Sequence, residues 1–121
     1  MKIREEQKLA FIQSLEDSFV KNMVRYLKDN FPKHCKMWNL QEEDLEPLVR
    51  QGMAEAEKYG LFSEGQIQRY LECMVILGPK FDQDEKYPWA GEILRREDLD
   101  GEEKIDQISG YLLFEWEEPP E

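Results

Sequence analysis

The chain has 121 residues, 40% of them apolar, 36% charged and fourteen aromatic (three Trp, five Tyr, six Phe). That length suits one domain that buries about two-thirds of its unfolded surface, and the aromatic content argues against disorder. The net charge of −11 argues against phosphate-neutralising contact with nucleic acid and against an anionic membrane surface, and no apolar run reaches the ~20 residues of a membrane span.

From Arg4 to about Asn30 the apolar residues Leu9, Ile12, Leu15, Phe19, Met23, Tyr26 and Leu27 recur at helical steps of three and four. Val20, Val24 and Phe31 widen this stripe, so the helix is expected to meet more than one neighbour, while Lys21, Arg25 and Lys28 fit an ordinary solvated face. Pro32 disfavours helical geometry at Phe31 and ends the run. "KHCKMWNL" reads as a connector or a single helical turn. The next helix carries Leu45, Leu48, Val49, Met53, Ala56 and Tyr59 inward. Pro47 fits only in a first turn, which places the start between Glu43 and Glu46. Gly60 is its natural C-terminal cap.

Ser63 and Gln66 form a capping-box pair, and Phe62 before them is placed to staple onto Ile67. Ile67, Tyr70, Leu71, Met74, Val75 and Leu77 then build the helix expected to be most buried, which Gly78 and Pro79 end. Pro88 opens a short helix with Ile93 and Leu94 inward and Trp89 placed against the last element. That last element, with Ile105, Ile108, Leu112 and Trp116 at helical spacing, is weakened by Gly110. Its "YLLFEW" could equally be a short strand. The expected fold is therefore all-α, a compact bundle of five to six helices. Residues 1–116 would form one helical domain and 117–121 an acidic tail. Buried packing is expected of at least two of Trp38, Trp89 and Trp116.

No catalytic, cofactor or metal signature emerges. His34 and Cys35 are adjacent, so their side chains diverge on a helix and cannot act as a nucleophile–base pair. With one histidine and two separated cysteines no zinc spacing exists. The acidic stretches 82–87 and 97–103 fail the calcium-loop pattern, because Lys86 and Tyr87, or Arg96 and Gln107, fall at positions that need ligands, glycine or glutamate. With 27 acids any paired-carboxylate proposal is unspecific. The start, "MKIREEQKLAF", has no apolar signal stretch, and a cytoplasmic location with reduced, idle thiols is the expectation.

The charge is uneven. Residues 1–38 hold eight basic and five acidic side chains, a balance of +3; residues 39–91 hold five and eleven, or −6; residues 92–121 hold three and eleven, or −8. Such a field suits solubility first and a basic protein partner second.

The segment "LGPKFDQDEKYPWAGEIL", residues 77–94, interrupts the helical pattern. As a corner it is well explained. Gly78 and Pro79 stop one helix, Phe81 drops into the core, Asp82 caps a turn, and Pro88 starts the next helix. The polar "DQDEKY" between anchored aromatics is also the kind of positioned loop that serves in recognition.

"IREEQ", "YG", "LGPKFD" and "PWAGEIL" together resemble a family of small helical proteins found in bacterial type VI secretion effector clusters, beside spike, PAAR and effector-chaperone genes. The resemblance spans about residues 3–95 and leaves Arg96 to Glu121 unmatched. It implies a non-enzymatic accessory factor or co-chaperone that binds an effector chaperone, an adaptor or a PAAR-type effector. The candidate partner-binding residues are Lys80, Phe81, Asp82, Asp84, Glu85, Tyr87 and Trp89, with the acidic C-terminal tract as second choice. The alternative is an immunity protein that neutralises a cognate toxin, for which acidity would speed association with a basic target.

Overall fold

A computed structural model describes residues 5–115, with side chains from Leu15 to Leu113. Among the described residues it contains six α-helices and no strand. They are α1 (Glu5–Asn30), α2 (Pro32–Met37), α3 (Glu42–Lys58), α4 (Glu64–Ile76), α5 (Pro88–Leu94) and α6 (Gly101–Glu115), with a 3-10 turn at Phe81–Gln83. The all-α expectation holds. The strand alternative for "YLLFEW" fails through Glu115, because α6 continues across Gly110. Trp116, the 117–121 tail and the side chains of Leu9 and Ile12 lie outside the described residues.

Each helix ends where local chemistry stops it. Phe31 accepts from Cys35 N and donates to Leu27 O, so the chain turns directly into α2, with Pro32 at its first position. Asn39 closes α2 at φ 56° with Leu40 N–H bonded to Cys35 O. Asn is among the few residues that tolerate this conformation. Gly60, at φ 82°, caps α3 as expected, with Leu61 N–H on Ala56 O and Gly60 N–H on Glu57 O, the double bond of a Schellman motif. The α3 start differs from expectation. The helix begins at Glu42, so Pro47 lies in its second turn. The carboxylate of Asp44 accepts from Gln41 N–H at 2.8 Å and anchors the earlier start. Pro47 forfeits one intrahelical bond, and because it and Glu43 are exposed, water can satisfy the freed carbonyl.

α4 packs against α1, α2, α3 and α6 and buries Tyr70, Leu71, Cys73, Met74 and Val75, in keeping with its apolar sequence. Its N-terminus carries the expected capping box, Gln66 N–H on Ser63 Oγ at 3.1 Å and Ser63 N–H on Gln66 Oε1 at 3.3 Å. α1 and α3 run antiparallel, a register marked by Lys28–Glu42 at one end and Asp17–Arg50 at the other. These exposed pairs mark geometry and add little stability. α6 has its own reciprocal cap, Asp100 with Glu103, and is tied to α4 by Gln66 to Glu102 at 3.0 Å. Two of the three tryptophans are described. Trp38 is 39% exposed, an edge residue whose Nε1–H caps α4 through Val75 O at 2.9 Å. Trp89 is half-buried.

Two glycines predict opposite outcomes. A Cβ on Gly52 would sit 2.4 Å from Leu71 Cδ2 and 2.7 Å from Met74 Sδ, whereas one on Gly110 would meet nothing within 4 Å. Gly52→Ala should therefore destabilise by about 1–3 kcal/mol through overpacking. Gly110→Ala should stabilise by about 0.5–1 kcal/mol through helix propensity. Urea denaturation of the two variants checks the sign of each.

Candidate interaction surface

The segment 78–95 is wound more tightly than a loop of its composition suggests. Gly78 adopts φ 126°, with the Trp38 ring where a side chain would otherwise stand. Successive backbone bonds follow, Phe81 N–H on Gly78 O, Gln83 N–H on Lys80 O, Asp84 N–H on Phe81 O and Tyr87 N–H on Asp84 O. The carboxylate of Asp84 also takes Lys86 N–H at 2.9 Å, an Asx-type turn. Pro88 then fixes the first residue of α5.

The side chains divide into anchors and presented groups. Phe81 is fully buried, its ring 5.0 Å from that of Tyr70. Asp82 is 5% exposed, and its Oδ2 accepts from the Tyr59 hydroxyl at 2.6 Å. Asp82 O accepts from Arg95 Nη1 at 3.3 Å. Gly91 makes room for this, since a Cβ there would lie 2.5 Å from both Asp82 O and Arg95 Nη2. Of the seven residues proposed from sequence, Phe81 and Asp82 thus hold the segment down and present no side chain outward. Lys80, Asp84 and Glu85 are exposed, while Tyr87 and Trp89 are half-buried.

Tyr87 and Trp89 form an aromatic ledge. Their rings meet edge-to-face at 6.2 Å, and Trp89 stacks on Tyr111 of α6 at 5.1 Å with 10° between planes. Trp89 therefore packs against the last helix, as its position implied. Lys86 Nζ lies 5.5 Å from the Tyr87 centroid, within cation–π range. Tyr111, 49% exposed, is the member that sequence reading missed. Helical phase places it beside the Ile105–Ile108–Leu112 stripe, and that position was the available signal. Glu92, exposed, lies three residues from Trp89 on α5, hence on the same side of that helix.

A second missed residue is Lys104. It is 7% exposed and its ammonium donates to Tyr59 O and Leu94 O, both at 2.8 Å. Those carbonyls end α3 and α5, so one cation satisfies the negative ends of two helices.

The remaining candidates are placed as follows. His34 and Cys35 are both buried, with His34 edge-on to Phe31 and the Cys35 thiol directed to Leu27 O at 3.9 Å. Burial raises the Cys35 thiol and pushes Cys73 up to about 12, the opposite of a reactive thiolate. Among the described residues no group of three His, Cys, Asp or Glu could hold a metal, and no helix is long and apolar enough to cross a membrane. Compared with known proteins, the chain matches no family model, no curated protein and no solved structure.

Burial, then the hydrogen bond and charge of Asp82, push the Tyr59 phenol from 10.0 up to about 12, against a smaller opposing effect of Arg95. Burial raises Tyr70 as well. In the unfolded chain both phenols lose their protons first, so the native state binds more protons above pH ~10 and its stability falls as pH rises. Stability measured by denaturant titration across the window from 10.0 to about 12 should decline. The decline should be shallower in Tyr59→Phe. An equal slope in both proteins would refute the assignment.

Proposed function

We propose that the chain is a non-enzymatic protein-binding module, an accessory factor or co-chaperone that engages an effector chaperone, adaptor or effector during type VI secretion loading in the bacterial cytoplasm. The observation that supports the binding role is the aromatic ledge of Tyr87, Trp89 and Tyr111 beside the exposed carboxylates of Asp84 and Glu85. Aromatic groups held rigid at a surface are the usual source of hot-spot energy, because little side-chain freedom is lost on binding. An aromatic face with acids adjacent in sequence favours a guanidinium or ammonium from the partner, by cation–π attraction and charge. The indole Nε1–H of Trp89 is buried without a hydrogen-bond partner among the described residues, a local cost of about 1–3 kcal/mol that marks the ledge as less than fully optimised for the isolated fold. The secretion context rests on the resemblance carried by "IREEQ", "YG", "LGPKFD" and "PWAGEIL".

A second reading, an immunity protein, is favoured by one observation, the balance of −8 in residues 92–121 within a total of −11. An acidic surface of this kind speeds capture of a basic toxin.

The deciding experiment titrates the purified chain against effector-chaperone and PAAR-effector proteins from a type VI cluster by calorimetry. Trp89→Ala and Tyr111→Ala should each weaken binding by about thirtyfold, the loss expected of a hot spot. Lys21→Ala, on a separate helix, should leave it unchanged. Adaptor binding that survives both aromatic substitutions contradicts the ledge. Binding to a toxin domain with loss of its activity favours the immunity reading instead.

A further inference from the structure

A groove of 510 Å³ runs between α1, α3 and the start of α4, on residues separate from the aromatic ledge. Its floor is apolar, with Phe19 and Leu61 9% and 0% exposed, and its walls include Leu15 and Phe62, which stand 55% and 72% exposed. Sequence reading expected Phe62 to fold down onto Ile67. Both line the groove, yet the phenyl ring remains in water. Its backbone is pinned, because Phe62 N–H donates to Gln66 Oε1 at 3.0 Å, and Gln66 Nε2 is held by Glu102 at 3.0 Å. The attachment point of the ring is therefore fixed relative to the groove, which leaves only its side-chain torsions to be ordered on binding.

Charge identifies the occupant. Glu16, Glu57 and Glu64 stand at the edge of the groove, all exposed. Arg50, the one basic residue lining it among the described residues, is engaged by Asp17 at 2.9 Å and Glu46 at 3.2 Å. The result is an apolar trough with an acidic rim. We infer that this groove binds a basic amphipathic helix of a partner protein, with apolar side chains at helical spacing on Phe19, Leu61 and Phe62 and flanking lysines or arginines on the three glutamates. Helix-in-groove recognition combines these two features, apolar anchors for affinity and charge for orientation. A cleft between two antiparallel helices suits a helix better than an extended strand, which would need an open sheet edge. This inference does not depend on the aromatic ledge or on the secretion context.

The test uses the full chain and two synthetic helical peptides with leucines at i, i+4 and i+7, one with flanking lysines and the other with glutamates in their place. In fluorescence anisotropy the lysine peptide should bind and the glutamate peptide should not. Leu15→Ser with Phe62→Ser should weaken binding by about tenfold or more, as should Glu57→Lys with Glu64→Lys. All four positions are exposed, so circular dichroism should show the fold unchanged, and Trp89→Ala should bind as the parent does. Binding of both peptides alike overturns the inference, as does absence of binding. So does lysine-peptide binding that responds to the charge changes but not to Leu15→Ser with Phe62→Ser. A dimer in sedimentation that the Leu15 and Phe62 changes disperse would assign the groove to a second copy and overturn it too.

Discussion

The ammonium of Lys104 sits where α3 and α5 both end. Helix C-termini leave carbonyls without intrahelical partners and carry partial negative charge, so two such ends can converge in a dry place only if a donor meets both. Lys104 does so at 2.8 Å to each. It lies in the first turn of α6, where a cation opposes the dipole of its own helix; the gain must come from the other two. Once the end of α3 is fixed, the Tyr59 side chain reaches Asp82, whose carbonyl receives Arg95. The Cα of Gly101 can also approach Gly60 O, where a Cβ would stand at 2.7 Å. The 3-10 turn, α5 and the start of α6 are therefore bound to α3 through polar contacts as well as packing.

This knot explains how a segment of Gly, Pro and acids can present aromatics in a fixed arrangement. Phe81 and Asp82 hold its base, while Asp84 organises the turn with its own backbone. Trp89 is then held against Tyr111 by the placement of α5 on α6. The groove bordered by Phe62 uses a different device, the Ser63–Gln66 capping box, whose Gln66 also reaches back to Phe62 and across to Glu102. In both places local helix-end chemistry fixes the backbone that carries a surface aromatic, which removes part of the entropic cost of binding.

Local signals carried much of this fold. The apolar steps from Phe19 to Leu27 marked α1, Gly60 and Gly78 marked helix ends, Ser63 with Gln66 marked a start, and Pro88 marked another. These work because each depends on neighbours within one turn. Pro47 misled because the Asp44 cap and solvent exposure let α3 begin a turn earlier than a proline would suggest. Lys104 reads as a surface lysine among acids, since its burial is decided by where two remote helices stop. Asp82 was legible as a turn residue but not as the acceptor for Tyr59, 23 positions away. The candidate surface was half legible for the same reason. Tyr87 and Trp89 stood out within a short stretch, while Tyr111 joins them only through tertiary packing.

Amide hydrogen exchange on the parent chain and on Lys104→Met tests the central claim most directly. If Lys104 ties the ends of α3 and α5 to α6, removing its ammonium should raise exchange in residues 80–95 and in the first turns of α6. The middle of α1 should keep its protection, since its packing is apolar and distant in sequence from the knot. Unchanged protection in residues 80–95, or a uniform rise across all six helices, would contradict the account.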